Sequence, residues 1–189
     1  YVRGMLDSFN LKVGAWTLPF SIDAEEKVFD EGMKKIERYA QVAKEINSLR
    51  VLGTVSSPDK TKADTYRQNL TSIIKILGRY GCTIGLDCPG MCQTQVENTG
   101  IILNASQWHL SGGNLEELKK IDWNRVVYVK MGDVGANKTG KFLPGETGVV
   151  DLAGFLKILS DVGYGGPVTP QLPDRNLLTL PEELAVRLL

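Results

Sequence analysis

Histidine is nearly missing from this chain: His109 is the only one in 189 residues. Chemistry that needs several imidazoles, such as a histidine-rich metal centre or a Cys–His nucleophile, therefore has little to draw on. Cysteine is also scarce, and Cys82, Cys88 and Cys92 make an odd set of three. That argues against a disulfide scaffold, and a fourth thiolate for structural zinc is lacking, so buried or incidental thiols are the expectation. No sign of charge dominates, since 22 basic residues face 22 acidic ones. No global field then draws nucleic acid or an anionic membrane, and a nuclease is disfavoured. No apolar run reaches the roughly 18 residues of a membrane helix, and the first residues lack the basic, apolar and cleavage regions of a secretion signal. The expectation is a protein of the cytoplasm or another soluble compartment, with no membrane partner.

What is present is an alternation of strands and helices. At 189 residues the chain is expected to form one domain, 1–189, burying roughly 70% of its extended surface. The clearest stretch runs from Val126 to Leu172. Its apolar strand ends at Lys130 and Asp133, where α/β folds place their chemistry. Asp151 can cap a helix with Leu152, Phe155, Leu156, Leu159 and Val162 at a period near 3.6,. Gly163 stops that helix, and Pro167 to Leu172 supplies a sixth strand,. Upstream, Tyr1 to Leu6 reads as the end of a helix and Leu11 to Phe20 as the first strand. Asp23 and Glu26 have capping-box spacing before a helix reaching about Glu45,. Further strands are expected at Leu49 to Val55, Thr83 to Asp87, Gly100 to Asn104 and Val126 to Met131,. Helices are expected from Asp64 to Arg79, from Asn114 to Lys120 and from Pro181 to the end,.

Six strands alternating with helices imply a parallel sheet with right-handed crossovers. A closed eight-stranded barrel takes about 250 residues, so either the sheet is open or barrel units are absent. The stretch between Asp87 and Gly100 is short for a crossover helix,.

The pieces GLDCPG, ILNASQW, VVYVKMGDV, LPGETGVVDL and GYGGPVTPQL, in that order, resemble the xylose-isomerase-like barrels, the sugar phosphate isomerase/epimerase superfamily. The resemblance runs from about Leu11 to the C-terminus. It implies an α/β fold, a xylose-isomerase-like (β/α) TIM barrel, incomplete or truncated, acting in carbohydrate metabolism. It also implies strand ends bearing Glu, Asp-x-x-His, His-x-x-Asp and Glu around a divalent ion. This chain departs from that set consistently. Asp87 stands for the first Glu, Asn104 for the Asp, Gln107 for the His, Lys130 for the second His and Gln171 for the last Glu, while Asp133 is kept. Amides ligate hard ions but do not neutralise them. An ammonium 4 Å from an ion would add repulsion of about 4 kcal/mol at an effective dielectric of 20. No cofactor is expected. If a weak Mn, Zn, Co or Mg site exists, its ligands come from Asp87, Asn104, Gln107, Asp133, Glu146 and Gln171.

Two readings of the strand-end charges stay open. Lys130, with Asp133 and Asp87, could act as acid, base or electrostatic clamp in enolisation beside a carbonyl. Alternatively, Lys130 and Asp133 form a structural ion pair that replaces the metal. Trp108, Gln107, Asn104, Gln171 and Arg175 are the candidate substrate contacts, Trp108 as a pocket wall. His109 lies two residues beyond the family's ligand position and reads as an ordinary loop histidine. LPGETG reads either as an anion cradle or as turn chemistry, and it lacks the ending of a P-loop. The functional expectation is a sugar isomerase/epimerase-like barrel binding a small sugar or polyol. The alternative is a degenerate barrel acting as a binding or partner subunit. A homo-oligomer, or dependence on a missing barrel segment, is possible in either case.

Overall fold

The computed structural model describes residues 1–55, 63–87 and 98–172. Its elements in chain order are α1 (Val2–Ser8), β1 (Trp16–Thr17), α2 (Glu26–Glu45), β2 (Arg50–Gly53), α3 (Ala63–Arg79), β3 (Thr83–Asp87) and β4 (Thr99–Asn104). They continue with α4 (Ala105–Leu110), α5 (Leu115–Leu118), a 3-10 turn (Trp123–Arg125), β5 (Val126–Met131), α6 (Leu152–Asp161) and β6 (Val168–Pro170). The strand order is β1-β2-β3-β4-β5-β6, and β1–β2, β2–β3, β3–β4 and β5–β6 pair parallel. A doubly wound sheet reverses its order at a switch point, whereas this one adds each strand beside the last, as a barrel wall does. Among the described residues no helix is long and apolar enough to cross a membrane.

Two compact units divide the chain, one holding 1–87, 98–102 and 125–128 and the other 103–124 and 129–172 of the described residues. In the first, α2 buries Phe29, Ile36, Ala40 and Ala43, and α3 buries Leu70, Ile73 and Leu77. Spacings of three, four and seven keep each set on one helical face. The strands meet these faces with Val51 and Ile84, which pair in register and are fully buried. In the second unit α6 turns Phe155, Ile158 and Leu159 inward. Asp151 caps α6 by accepting from the N–H of Gly154 at 2.9 Å, and Asn114 caps α5 through Glu117 at 2.9 Å.

Several expectations need correction. The first strand is only Trp16–Thr17, since a strand extends only as far as it finds a neighbour to pair with. The Asp23–Glu26 box does not form: α2 starts after Glu25, and Asp23 instead accepts a hydrogen bond from Ser21. On α6, Leu156 and Val162 face solvent while Ile158, left off the expected face, is buried. Helix α4 was not anticipated at all. The region after Asp87 and the closing helix fall on residues outside the described set.

Candidate functional site

In the second unit β4 ends on Asn104, an asparagine only 6% exposed. Its backbone is still extended, and its Oδ1 accepts the N–H of Gln107 at 3.3 Å, which makes it the N-cap of α4. Asparagine is favoured at that position because its short side chain reaches the first free amides of a helix. Ser106, 3% exposed, adds its hydroxyl: Oγ lies 2.8 Å from Asn104 Oδ1 and 3.0 Å from Gln171 Oε1. Gln171 directly follows β6, and its backbone N–H donates to the carbonyl of Met131 at 2.6 Å. Asn104 and Gln171, both expected at the site, are thus brought together through a serine that sequence reasoning passed over. The only hint was its place in the turn that Asn104 caps.

Gly132 makes room for this arrangement. A Cβ there would sit 2.8 Å from Gln171 Oε1 and 2.9 Å from Gln171 Cβ. Gly132→Ala is therefore expected to push Gln171 off Ser106 and to cost about 1–3 kcal/mol through overpacking. The check is chemical denaturation together with the NMR shift of the Gln171 side-chain amide; an unmoved amide resonance would count against the contact.

Asp133 is 1% exposed and takes four backbone amides. Oδ1 accepts from Val134 at 2.9 Å and Val150 at 3.0 Å, and Oδ2 from Thr147 at 3.0 Å and Gly148 at 2.8 Å. Its own backbone pairs with Phe142 in both directions, and the Thr147 hydroxyl donates to the Val134 carbonyl. Burial alone pushes the carboxyl up, but the bonds from Val150, Thr147, Val134 and Gly148 outweigh it and hold the group below the usual carboxylate range,. This corrects two expectations. The partners of Asp133 are loop amides and not Lys130, and its saturated oxygens have no lone pair ready for a metal or a substrate proton.

The two readings of LPGETG resolve together. Glu146 donates its N–H to the Leu143 carbonyl at 3.0 Å across Pro144 and Gly145, with Gly145 at φ +77°, as a Pro-Gly turn requires. Gly148, at φ +70°, then turns its N–H toward Asp133. The cradle holds an anion, and that anion is the protein's own carboxylate. Glu146 is exposed, and one oxygen accepts the Leu143 N–H at 2.9 Å.

The other candidates lie on several elements. Lys130 lies on β5 opposite Thr169 of β6. Asp87 closes β3 in the first unit. Gln107 is half-buried and contributes its backbone N–H to the cap. Trp108 is buried with its indole N–H unbonded, and its ring fills the space over Gly113. His109 sits half-buried in the last turn of α4. Burial raises the Cys82 thiol above its ordinary value, which suits an inert cysteine,. Arg175, Cys88 and Cys92 lie outside the described residues.

Asn104, Gln171 and Asp133 do not fit a divalent ion. Among the described residues no three His, Cys, Asp or Glu side chains gather. Asn104 Oδ1 already receives two hydrogen bonds and both oxygens of Asp133 are committed. Asn104 and Gln171, as amides, carry no charge to offset the ion's dehydration.

No protein family's sequence profile matches the chain. It is similar to the inosose isomerase of Halalkalibacterium halodurans, 24% identical over 90% of this chain and 69% of that protein. It is also similar to the inosose isomerase of Bacillus licheniformis, 21% identical over 98% of this chain and 63% of that one. The chain thus spans about two thirds of the length of these relatives. Among solved structures, a xylose isomerase domain protein from Alicyclobacillus acidocaldarius superposes with TM-score 0.81 at 19% identity, covering 99% of this chain and 77% of that one. The IOLI protein, crystallised with a binding zinc atom, gives TM-score 0.66 at 18% identity, over 89% and 71%.

Proposed function

Because this chain carries the xylose-isomerase-like TIM-barrel fold, we propose that it is a sugar isomerase-like barrel that binds a small sugar or polyol at the Asn104–Ser106–Gln171 cluster. The observation that carries this reading is the joining of β4 and β6 at their carboxyl ends by that cluster. Barrels of this kind place their ligands at that end of the strands. Side-chain amides and a hydroxyl offer donors and acceptors in the alternation that sugar hydroxyls match. The names of the two curated relatives, both inosose isomerases, point to the same ligand class. The test is calorimetric titration of the chain with inosose, with and without chelator. Absence of binding in both conditions would end the proposal.

Turnover is a separate matter. Lys130 is the residue we assign to proton transfer or carbonyl polarisation, since it is the cation that the sequence places near the carboxyl end of β5,. Asp133 favours the second reading, binding without turnover, because its carboxylate is occupied as a loop anchor. Lys130→Met separates the two. If Lys130 is catalytic, isomerisation of inosose should fall at least about a hundredfold, within the usual range for a lost general acid or base, with binding nearly unchanged. A wild-type chain that binds inosose and never converts it would favour the binding-protein reading.

A further inference from the structure

Ser106 Oγ lies within hydrogen-bond reach of two oxygens, Asn104 Oδ1 at 2.8 Å and Gln171 Oε1 at 3.0 Å, yet a hydroxyl has one proton to donate. The Asn104 oxygen is identified independently, because it accepts the backbone N–H of Gln107 at 3.3 Å. Which end of an amide is oxygen is otherwise set by its partners, and the Gln171 amide can turn over at no cost in shape. The consistent solution runs one way. Gln107 N–H and Ser106 O–H both donate to Asn104 Oδ1, and Gln171 presents its Nε2–H to Ser106 Oγ. The Asn104 amide nitrogen, on a residue only 6% exposed, and the Gln171 carbonyl then stand without protein partners among the described residues. One is a donor pair and the other an acceptor, and neither carries charge.

We infer that Asn104, Ser106 and Gln171 form a metal-independent hydrogen-bonding subsite. In it, Ser106 determines specificity by fixing which amide atoms meet the ligand. The ligand class is an uncharged polyhydroxy compound with neighbouring acceptor and donor oxygens. Its acceptor takes the Asn104 N–H groups, and its adjacent hydroxyl donates to Gln171. This rests on the proposed sugar-binding reading and deepens it. The position that would hold a carboxylate ligand in a metal-centred barrel here holds an amide whose oxygen is taken by Ser106 and Gln107, leaving an N–H donor, the wrong polarity for a cation. The Asn104 amide nitrogen finds no protein acceptor among the described residues, so a ligand oxygen there gains a hydrogen bond that a phosphate or carboxylate group elsewhere on the sugar does not replace,.

The test is titration of the full chain, stripped with chelator, with inosose and with a phosphorylated ketose. Parallel runs use Ser106→Ala, Ser106→Thr and Gln171→Glu, each checked for folding by thermal melting. The wild-type chain is expected to bind inosose equally with chelator and with added manganese or zinc. Ser106→Ala should weaken binding by about tenfold or more, the scale of one lost hydrogen bond, and Ser106→Thr, which keeps the hydroxyl, should restore most of it. Gln171→Glu, which cannot donate to Ser106, should weaken it about as much. Binding that appears only when metal is added would overturn the inference and leave the sugar-binding reading standing. Equal affinity of wild type and Ser106→Ala, or a phosphorylated ketose binding more than about tenfold tighter than inosose, would do the same. No binding of any sugar under any condition would remove both.

Discussion

Replacing Asp133 by alanine is expected to cost about 3–5 kcal/mol, the scale of breaking a buried hydrogen-bond network. Four backbone amides would be left without an acceptor, and each buried donor left unmet costs about 1–3 kcal/mol before the loop relaxes. The loop that Asp133 holds runs from Val134 to Val150 and is tied at residues 14, 15 and 17 positions further on. Its release should show as fast hydrogen exchange at Thr147, Gly148 and Val150. Asp133→Asn is the milder variant, because an amide keeps one acceptor oxygen and turns an NH2 group against two amide donors. It should cost less than alanine but still well over 1 kcal/mol.

The same carboxylate sets an acid limit on stability. Its folded value lies below the ordinary one, so the ionised form is favoured by folding. That contribution is fully present above the unfolded carboxyl value near pH 4 and is lost as pH falls through the lower folded value. Wild-type stability should therefore drop more steeply below about pH 4 than that of Asp133→Asn. Urea denaturation across pH 2–6 would measure the difference, and parallel pH profiles would show that the carboxylate is not the anchor described.

The second large effect concerns two glycines in the sheet of the first unit. Gly85 of β3 and Gly100 of β4 are direct register partners, and the Val127 side chain of β5 lies against both. A Cβ on Gly100 would overlap that side chain and stand 3.1 Å from the carbonyl oxygen of Arg125; one on Gly85 would stand 2.5 Å from Val127 Cγ2. Val127 is β-branched and stiff at χ1, so it cannot swing clear, and Gly100→Ala is expected to cost about 2–3 kcal/mol through overpacking,. In a Val127→Ala background most of that penalty should vanish. A double-mutant cycle reads the coupling directly, and an equal penalty in both backgrounds would refute the packing account.

Glycine here illustrates what a linear reading misses. Gly85 and Gly100 look like ordinary β-strand weaknesses until Val127 is placed over them, and Gly132 looks like a turn residue until Gln171 occupies its missing side chain. Ser106 was invisible for the same reason: its second partner, Gln171, is 65 positions away. The Asp133 anchor had a visible half, since the glycine-rich loop was recognised as a possible anion cradle. Which anion fills it depends on the fold, and the sequence alone suggests an ion pair with Lys130 instead.

The limits of α3, α5 and α6 and the identity of most strands were decided by the sequence itself. Helix α3 follows from the spacing of Leu70, Ile73 and Leu77, and α5 and α6 begin where Asn114 and Asp151 can satisfy amides three residues ahead. These are short-range interactions, complete within a turn or two of chain. Only the tertiary structure decided that Asp133 is an anchor, that β1 is two residues long, and that Asn104, Ser106 and Gln171 share their hydrogen bonds. Each of those outcomes depends on which distant group supplies a donor, an acceptor or an absent side chain, and that is settled only when the strands pair.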